Sequence, residues 1–417
     1  MRFAARVRRW PATPTPDTAT RNTCEVQLPP HRHRGRRDRI RRSASPAERC
    51  GGDVLLLEQY RLGHDRGSSN DHSRIIRHAY HSPAYTALTP AAYACWEEVE
   101  ERTGLDLVLK TGGLDLFAGT HGDADLRAYR YSLDSAQIPY ELLDAADIRA
   151  RYPQWRIDDD VHGMYQADGG ILDIRRAVAA QLALGRELGV TCASETRVEG
   201  IDRDGSRIAV RTDRGTVFAD HLTLATGSWA GELLSDLGVA WRITLTQEQV
   251  TYFAPARIRD FAPDRFPIWV FHGEDIYYGF PVYGEVAVKV ARDLGKRTIS
   301  PAQRTNEPDP AESARLLKFL TRHLPDAVGS EVLSKVCVYD MPPDKEFIVD
   351  VLPGDPRITV AIGGSGHAGK FAALLGGVVA DLATTGASRH PVDIFRADRA
   401  ALTEPGFPPT TRLSAAR

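Results

Sequence analysis

A short apolar run that ends on an acid is the feature that most restricts the fold of this chain. Residues Asp53 to Leu57 have the length and composition of a buried strand, and the next residue is Glu58. A polar loop follows and leads to Arg74 and Arg77, which flank two isoleucines. In folds that bind dinucleotides, an acid at the end of the second strand accepts hydrogen bonds from the adenosine ribose. The run therefore indicates a nucleotide-binding α/β fold, although many surface strands also end in Glu.

The size and composition fit a globular protein with two domains and no disulfides. The chain has 417 residues, of which 42% are hydrophobic and 26% are charged. Its five cysteines are odd in number and widely spaced, and no CxxC occurs, so neither a disulfide framework nor a zinc site is expected. No stretch of about eighteen apolar residues stands out, so no membrane span is expected. A reducing, cytoplasmic location fits this composition.

The first fifty residues differ in charge from the rest. They contain thirteen Arg, no Lys and four acids, a balance of 13 − 4 = +9, so the remainder carries −2 − 9 = −11. An acidic body argues against nucleic acid as a partner. Where a nucleotide-binding fold has its first strand and GxGxxG loop, this chain has an Arg-rich sequence over 24–52.

Three explanations of this Arg-rich segment, residues 1–50, stay open. It could be a disordered basic arm or a targeting peptide. The protein could instead be a relative that has lost its nucleotide loop. The third explanation is a shift of reading frame before residue 52, which we favour because thirteen Arg occur without one Lys.

The rest of the chain alternates between helical and strand patterns. The spacing predicts helices over 83–103 and 310–323, and an aromatic antiparallel sheet over about 244–290. Residues 107–119 alternate like a hairpin. We predict an α/β protein, α+β overall, with a Rossmann-like nucleotide-binding domain that lacks GxGxxG and a substrate domain with a mostly antiparallel sheet. The predicted division assigns 51–80, 153–240 and 337–395 to the first domain, and 81–152 and 241–336 to the second.

Four further segments accompany the strand that ends at Glu58. They are LATG (224–227), YYGFPVYGEVAVKVARD (277–293), CVYDMPPDKEFIVD (337–350) and GGSGHAGK (363–370). Together with GSSNDHSRIIRHAY (67–80), they resemble the monomeric sarcosine oxidases and N-methyltryptophan oxidases of the D-amino-acid-oxidase superfamily. The resemblance extends with few gaps from about residue 53 to about residue 399 and leaves out the first fifty residues.

The resemblance implies an FAD cofactor joined covalently to Cys337. In the family a cysteine at this place is attached to the flavin, although a lone cysteine in a strand is more often simply buried. Glycines in the GGSGHAGK segment would let the backbone pass close to the flavin ring. The residues implied to contact the cofactor are Cys337, Glu58, Ser73, Val198, Gly227, Gly364, Gly366, His367 and Lys370.

The same resemblance implies roles for the cationic side chains. Arg77 and Lys370 would hold the substrate carboxylate, because an Arg fork suits a planar anion. Lys289, which its strand pattern alone would leave as a surface residue, would stand near flavin N5 and stabilise superoxide. Arg74 and Tyr278 would complete the catalytic group.

Several positions depart from the family pattern. Asp340 and Pro342 stand where threonines are usual. In the expected substrate pocket, Asp293 and Asn70 replace histidines and Trp269 replaces a methionine. Trp269 is expected to change the pocket volume or to stack on a substrate ring, and Asp293 to favour a cationic or hydrogen-bonding group. A larger N-alkyl or cyclic amino acid is therefore as good a candidate as sarcosine.

The resulting expectation is an FAD-dependent oxidase of a secondary-amine amino acid. Hydride passes to flavin N5, the imine hydrolyses, and oxygen is reduced to hydrogen peroxide. Two alternatives stay open: a dehydrogenase of the same superfamily, and an inactive relative that binds no flavin. The expected partners are a small amino acid and O2, with no nucleic acid, membrane or metal, and the chain is expected to be a monomer.

Overall fold

The computed structural model describes residues 2–6 and 51–410, except Asn70 and Lys296. Within the Arg-rich segment, residues 1–50, the structure describes residues 2–6, which form one strand. The three explanations of this segment concern residues that are otherwise outside the described ones. The strands are β1 (Arg2–Arg6), β2 (Val54–Leu57), β3 (Arg74–Ile76), β4 (Val108–Lys110), β5 (Gly113–Phe117), β6 (Glu141–Leu143), β7 (His162–Gln166), β8 (Gly170–Leu172), β9 (Thr191–Ala193), β10 (Val198–Asp204), β11 (Arg207–Thr212), β12 (Gly215–Ala219), β13 (His221–Ala225), β14 (Thr244–Phe253), β15 (Ile268–His272), β16 (Ile276–Phe280), β17 (Val288–Asp293), β18 (Thr298–Ile299), β19 (Glu331–Met341), β20 (Ile348–Val351) and β21 (Ile358–Ile362).

Helices connect and cover these strands. The α-helices are α1 (Pro83–Thr103), α2 (Gly119–Ser135), α3 (Ala145–Arg151), α4 (Ile174–Glu187), α5 (Ala230–Asp236), α6 (Pro310–His323), α7 (Ala372–Thr385) and α8 (Ala400–Thr403). Short 3₁₀ helices occupy Gly51–Asp53, Gly227–Trp229, Ile258–Phe261, Pro301–Gln303, Pro325–Ala327, Ala368–Phe371 and Asp393–Phe395. The helices predicted over 83–103 and 310–323 are confirmed.

A six-stranded sheet carries the strand that ends at Glu58. Its order is β20-β21-β13-β1-β2-β9. Strand β21 is parallel to β13 and β9 is parallel to β2, while β1 runs antiparallel to both β13 and β2. Strands β2, β13 and β21 therefore share one direction and present their carboxyl ends at one edge of the sheet.

Helix α7 covers one end of this sheet. It packs against β20 and β21, and its buried residues Leu374, Val378 and Leu382 repeat every four positions on its inner face. The helix ends where Gly386 adopts a left-handed φ of 75°. The stretch Ala368–Thr385 is long and apolar enough to cross a membrane by length and composition alone, and half of it is buried within the fold. The expectation that no such stretch occurs is wrong here, because a core helix needs the same apolar residues.

A nine-stranded sheet forms the other large layer. Its order is β18-β14-β17-β16-β15-β5-β7-β6, and β19 also pairs with β14. All of its pairs are antiparallel except β15 with β5. Helix α6 packs behind it through Leu316, Phe319 and Leu320. Asp309 caps its N-terminus, and the Asp309 side chain accepts the N–H of Ala311 at 2.9 Å. The predicted aromatic antiparallel sheet is thus confirmed.

Two local predictions are wrong. Strands β4 and β5 do not form a hairpin, because β4 pairs with β8 whereas β5 lies between β15 and β7. The chain crosses between two sheets at Gly112, so its alternation reflects burial in both sheets rather than mutual pairing. The predicted boundary at 153 places strand β7 in the nucleotide-binding domain, yet this strand belongs to the nine-stranded sheet. The α/β class, with one sheet of mixed parallel and antiparallel pairs and one mostly antiparallel sheet, is as expected.

Candidate active site

A cavity of about 940 Å³ lies at the carboxyl ends of β2, β13 and β21. Its wall also includes the loop between β2 and β3 and residues on β14–β17 and β19. This volume is at the upper end of the range for ligand sites, about 300–1,000 Å³, and therefore suits a ligand larger than an amino acid. Its position is where open α/β sheets bind their ligands.

Glu58 and Thr226 line the cavity beyond the ends of β2 and β13. The buried Glu58 carboxylate accepts the N–H of Tyr60 at 3.0 Å through Oε1, and its Oε2 lies 3.4 Å from His64 Nε2. The Thr226 hydroxyl is buried without a hydrogen-bond partner among the described residues. A buried hydroxyl that lacks a partner is costly, so a polar ligand group is expected beside it.

Cys337 on β19 lines the same cavity and forms no disulfide. Burial raises the pKa of its thiol to about 11, although Arg74 acts in the opposite direction. The group is therefore a thiol at neutral pH. It pairs across the strands with Glu248 on β14, and burial raises the pKa of that carboxyl to about 7.

The loop after β21 passes close to β19. Gly366 has a φ of 79°, and a Cβ atom there would overlap the ring of Tyr339. Asp340 fixes this loop, because its Oδ2 accepts the N–H of Gly363 at 2.8 Å and its carbonyl accepts the N–H of Ser365 at 3.2 Å. A carboxylate at position 340, unusual for the resembled family, thus has a structural role in shaping the cavity wall.

Four residues, Asp71, Tyr252, Lys289 and Lys335, form what we call the Asp71 cluster. Asp71 Oδ2 lies 2.5 Å from Lys289 Nζ, and Oδ1 accepts hydrogen bonds from Tyr252 OH at 2.7 Å and Lys335 Nζ at 3.2 Å. Burial alone would raise the pKa of Asp71, but the Lys289 ammonium holds it well below its usual range. Burial lowers the pKa of Lys289 to about 8, with Asp71 opposing that shift. All but Tyr252 line the cavity.

Arg77, Asp115, Tyr129 and His272 form a second group, which we call the Arg77 cluster. Arg77 Nη1 donates to Asp115 Oδ1, and Nη2 donates to Tyr129 OH at 3.3 Å. His272 Nε2 lies 2.9 Å from the same Asp115 oxygen, and the His272 ring stacks on another aromatic ring 4.6 Å away. Burial would lower the pKa of His272, but its carboxylate neighbours raise it above its ordinary value. Arg77 Nε is buried without a hydrogen-bond partner in the described parts of the chain.

Lys370 and Asp293 face the cavity beside the Arg77 cluster. Lys370 Nζ donates to Tyr80 OH at 2.8 Å, and burial, with Arg77 second, lowers its pKa to about 7. Burial raises the pKa of Asp293 to about 6, opposed by Lys370 and Arg77. Within the described residues, neither group has an ion-pair partner within 4.0 Å. An ammonium and a carboxylate without ion-pair partners among the described residues of one pocket can bind opposite charges on a single zwitterionic ligand.

Comparison with known proteins defines the family. The sequence model of the FAD dependent oxidoreductase family (DAO) matches residues 44–382. The chain belongs to this family. A monomeric sarcosine oxidase from Streptomyces avermitilis is 34% identical over 359 residues, which cover 83% of this chain and 91% of that protein. An N-methyl-L-tryptophan oxidase from Salmonella newport is 31% identical over 85% of this chain and 94% of that protein. The resemblance drawn from the motifs is confirmed.

A solved structure supports the same fold. The open form of NikD, described as an unusual amino acid oxidase essential for nikkomycin biosynthesis, has a TM-score of 0.72 and 25% sequence identity. The match covers 82% of this chain and 90% of that chain. The fold class predicted from sequence is therefore found in both the structure and its relatives.

The cavity of this FAD-dependent oxidoreductase fits its family's cofactor. The buried Glu58 carboxylate suits ribose hydroxyls, and the unpaired Thr226 hydroxyl needs a polar partner. Gly364 and Gly366 line the cavity and have no side chains, so a ligand ring can approach the main chain there. The residues described here fit FAD at its ribose and flavin ends. The place expected for a pyrophosphate loop lies outside the described residues.

Most of the predicted site residues of this oxidoreductase line the one cavity. They are Glu58, Ser73, Arg74, Arg77, Gly227, Tyr278, Lys289, Asp293, Cys337, Gly364, Gly366, His367 and Lys370. Asn70 lies outside the described residues. Arg74 donates to the carbonyls of Ser73 and Ser68 at 2.8 and 2.7 Å. Tyr278 is half-buried near Tyr339, and its removal from water raises its pKa.

Two predicted site residues do not line the cavity. Trp269 is 1% exposed and stacks on Phe319 in the core behind the nine-stranded sheet. Its neighbours Val270 and His272 point to the cavity instead, because side chains alternate between the faces of a strand. The expectation that Trp269 shapes the pocket is therefore wrong. Val198 packs in the core beneath the six-stranded sheet, and its side chain does not line the cavity.

Sequence reasoning missed the carboxylates that hold the cations. Asp71 lies in a polar loop where nothing in the spacing distinguishes it from its neighbours. Asp115 carried a usable signal, because it is a single acid inside the apolar strand GLDLF. A charged residue in a buried strand requires a partner, and Arg77 and His272 are its partners.

Proposed function

We propose that the protein is an FAD-dependent oxidase of an amino acid with a secondary amine, of the N-methyl or cyclic type. The observation that carries this proposal is that one cavity collects Cys337 and Lys289 together with Arg77, Lys370 and Asp293. The first two suit a flavin and an oxygen site, and the other three suit a zwitterionic substrate. The names of the curated relatives, which are oxidases of sarcosine and N-methyltryptophan, support the same class.

The residues that would hold FAD lie along the cavity. Glu58 would bind the ribose, and the glycines at 364 and 366 would leave room for the flavin ring, with Cys337 as the covalent anchor. When bound, FAD takes two electrons and a proton from the substrate C–N unit and delivers the electrons to O2, which yields hydrogen peroxide. The protein supplies binding, orientation and charge.

The substrate end would bind both charges of an amino acid. Lys370, which lacks a carboxylate partner among the described residues, and the free Nε of Arg77 suit the substrate carboxylate. Asp115 and Tyr129 hold the Arg77 guanidinium in place. Arg77 therefore loses little conformational entropy when a ligand binds. Asp293, on the same pocket wall, would accept a hydrogen bond from the substrate amine. With a pKa near 6, it is mostly ionised at neutral pH.

Whether oxygen or another molecule accepts the electrons depends on the charge near Lys289. The pairing of Lys289 with Asp71 is the observation that favours the second candidate, a dehydrogenase, because a carboxylate offsets the cation. However, Lys335 binds the same carboxylate, so two lysine ammonium groups face one carboxylate within the Asp71 cluster. The net positive charge supports oxygen as the acceptor, since superoxide is an anion. Release of one peroxide per substrate oxidised would separate the two candidates.

The experiment that tests the proposal uses the full chain as it is purified. Acid precipitation of the protein is expected to leave flavin absorbance in the pellet, because Cys337 would anchor FAD covalently. The matched variant Cys337→Ser is expected to release its flavin into the supernatant. A wild-type pellet without flavin, with yellow supernatant, would remove the covalent link but leave the oxidase proposal. Protein that neither contains nor takes up FAD would overturn the proposal in favour of a relative that binds no flavin.

The remaining expectations are part of the same proposal. They are a monomer in the cytoplasm, with O2 and a small amino acid as its partners and no membrane. The acidic body calculated from the sequence argues against nucleic acid as a partner. Size-exclusion chromatography with light scattering would test the monomer.

A further inference from the structure

Lys289 is a buried cation in the middle of a strand. Its side chain is 4% exposed, and its Nζ lies 4.6 Å from the centre of the Phe280 ring. Nζ also donates to the carbonyl and the hydroxyl of Ser73 at 3.1 and 3.3 Å. Neutral acceptors alone rarely keep a buried ammonium charged, because removal from water penalises the charged form. A nearby anion is therefore needed if Lys289 is to act as a cation.

Asp71 supplies that anion from a loop far away in sequence. Its two oxygens contact Lys289, Tyr252 and Lys335, which come from strands β17, β14 and β19. Both carboxylate oxygens are thus engaged, and the side chain is only 8% exposed. Three strands of the nine-stranded sheet are tied to one loop residue.

The backbone at Asp71 is held in an unfavourable conformation. Its φ is 94°, in the left-handed region that favours glycine. A residue with a side chain stays in such a conformation only where its surroundings require it, and such residues cluster at functional sites. The carboxylate, rather than loop geometry, accounts for an aspartate at a position that glycine would adopt without strain.

The other groups around Lys289 are cations, neutral groups, or a carboxylate that is paired elsewhere. Arg74 on β3 and Lys335 on β19 are cations, and Arg74 lowers the pKa of Lys289. Cys337 on β19 is a neutral thiol at physiological pH, and Tyr252 on β14 is a hydrogen-bond donor to Asp71. Glu285, in the turn before β17, pairs with His72 at 2.9 Å. Among the described residues, Asp71 is the carboxylate within ion-pair distance of Lys289.

We propose that Asp71 is the positioning residue of Lys289, and that its carboxylate keeps the lysine ammonium charged and fixed at the cavity wall. The inference rests on the proposed function in one respect, that a charged Lys289 serves the reaction with oxygen. Loss of the carboxylate leaves Lys289 buried and facing Arg74 and Lys335, so the lysine releases its proton at lower pH. Asp71 would thereby set the pH range over which the oxidase works.

The test measures the protonation of Lys289 without substrate turnover. Purified holoprotein is pulse-labelled with acetic anhydride across a pH series, and acetylation of Lys289 is quantified by peptide mass spectrometry. In Asp71→Asn, the midpoint of the Lys289 profile is expected to fall by at least about one pH unit, a roughly tenfold larger unprotonated share at a given pH. Asp71→Glu is expected to restore most of the wild-type midpoint. Glu285→Gln is the matched control, because it removes a nearby carboxylate that is paired with His72, and it should leave the midpoint unchanged.

A second variant separates charge from loop shape. Asp71→Gly removes the carboxylate and relieves the left-handed backbone, so it is expected to fold at least as well as Asp71→Asn and to show the same downward shift. A wild-type midpoint in both variants would overturn the proposal. Failure of the proposed function looks different: oxygen reactivity would not respond to substitution of Lys289, while the shift in the acetylation midpoint would persist.

Discussion

The Asp71 cluster and the substrate end of the cavity use the same ingredients in opposite ways. In the Asp71 cluster, both oxygens of one carboxylate are occupied by two lysines and a tyrosine. At the substrate end, Arg77 is held by Asp115, whereas Lys370 and Asp293 keep their charges facing the cavity without ion-pair partners in the described residues. One site is complete in itself, and the other is complete only with a ligand. This difference separates a fixed electrostatic element from a binding site.

The largest effect should come from removing the cation of the complete site. Lys289→Met is expected to slow the reaction of the reduced protein with oxygen by about 100- to 1,000-fold, the usual cost of losing a charge-stabilising group. Reduction by substrate should change little, because Lys289 does not belong to the substrate end. Stopped-flow measurement of the two half-reactions tests this, with the more exposed Lys335→Met as the control that should have a smaller effect. Equal losses in both half-reactions would contradict the role given to Lys289.

Substitution at the incomplete site should affect binding instead. Lys370→Met is expected to raise the Kd of a simple carboxylate such as propionate by about 10- to 100-fold, the range for a lost hydrogen bond to a charged group. The rate of reaction with oxygen should stay close to that of the wild type. Titration of the flavin spectrum measures the Kd, and Lys335→Met again serves as the control. An unchanged Kd would mean that the carboxylate binds elsewhere.

The pH dependence of binding sharpens the same comparison. The lowered pKa of Lys370, about 7, means that its ammonium is charged below that pH and loses its proton above it. The Kd for propionate should therefore rise with pH above about 7, by up to roughly tenfold per unit. Asp293, with a pKa near 6, is already ionised in this range and adds little change. A Kd that is flat or falls between pH 7 and pH 8.5 would contradict this assignment.

Substitution of Trp269 should have the smallest effect on activity. Trp269→Phe removes part of a side chain that is 1% exposed and packs on Phe319. The free energy of unfolding should fall by about 1–3 kcal/mol, as measured by denaturant titration. Substrate selectivity should not change, because the side chain lies behind the sheet. Altered selectivity with unchanged stability would place Trp269 in the pocket after all.

Sequence reasoning located several residues that line the cavity but not the carboxylates that hold its cations. Glu58, Lys289, Cys337 and Lys370 stand in contiguous motifs, so a short segment was enough to identify each one. The contact between Asp71 and Lys289 joins residues that are 218 positions apart, since 289 − 71 = 218. It depends on strand pairing that no local pattern contains.

The wrong predictions about the side of the sheet on which Trp269 lies and about the pairing of β4 with β5 have a similar cause. Trp269 and Val270 are neighbours in sequence, yet they face opposite sides of β15, so a shift of one residue exchanges core and cavity. The alternation over 107–119 was correct for two strands but could not show that they belong to different sheets. Local patterns therefore predicted the elements, while tertiary contacts decided the environment of each side chain.

The central claim is that this cavity oxidises an amino acid with a secondary amine at a bound flavin. The most direct measurement mixes the purified holoprotein anaerobically with N-methyl and cyclic amino acids and follows the visible flavin spectrum. We expect at least one of them to bleach the flavin, and we expect oxygen to restore the colour with one hydrogen peroxide per turnover. A flavin that stays oxidised with every such amine, in a protein that binds FAD, would contradict the account.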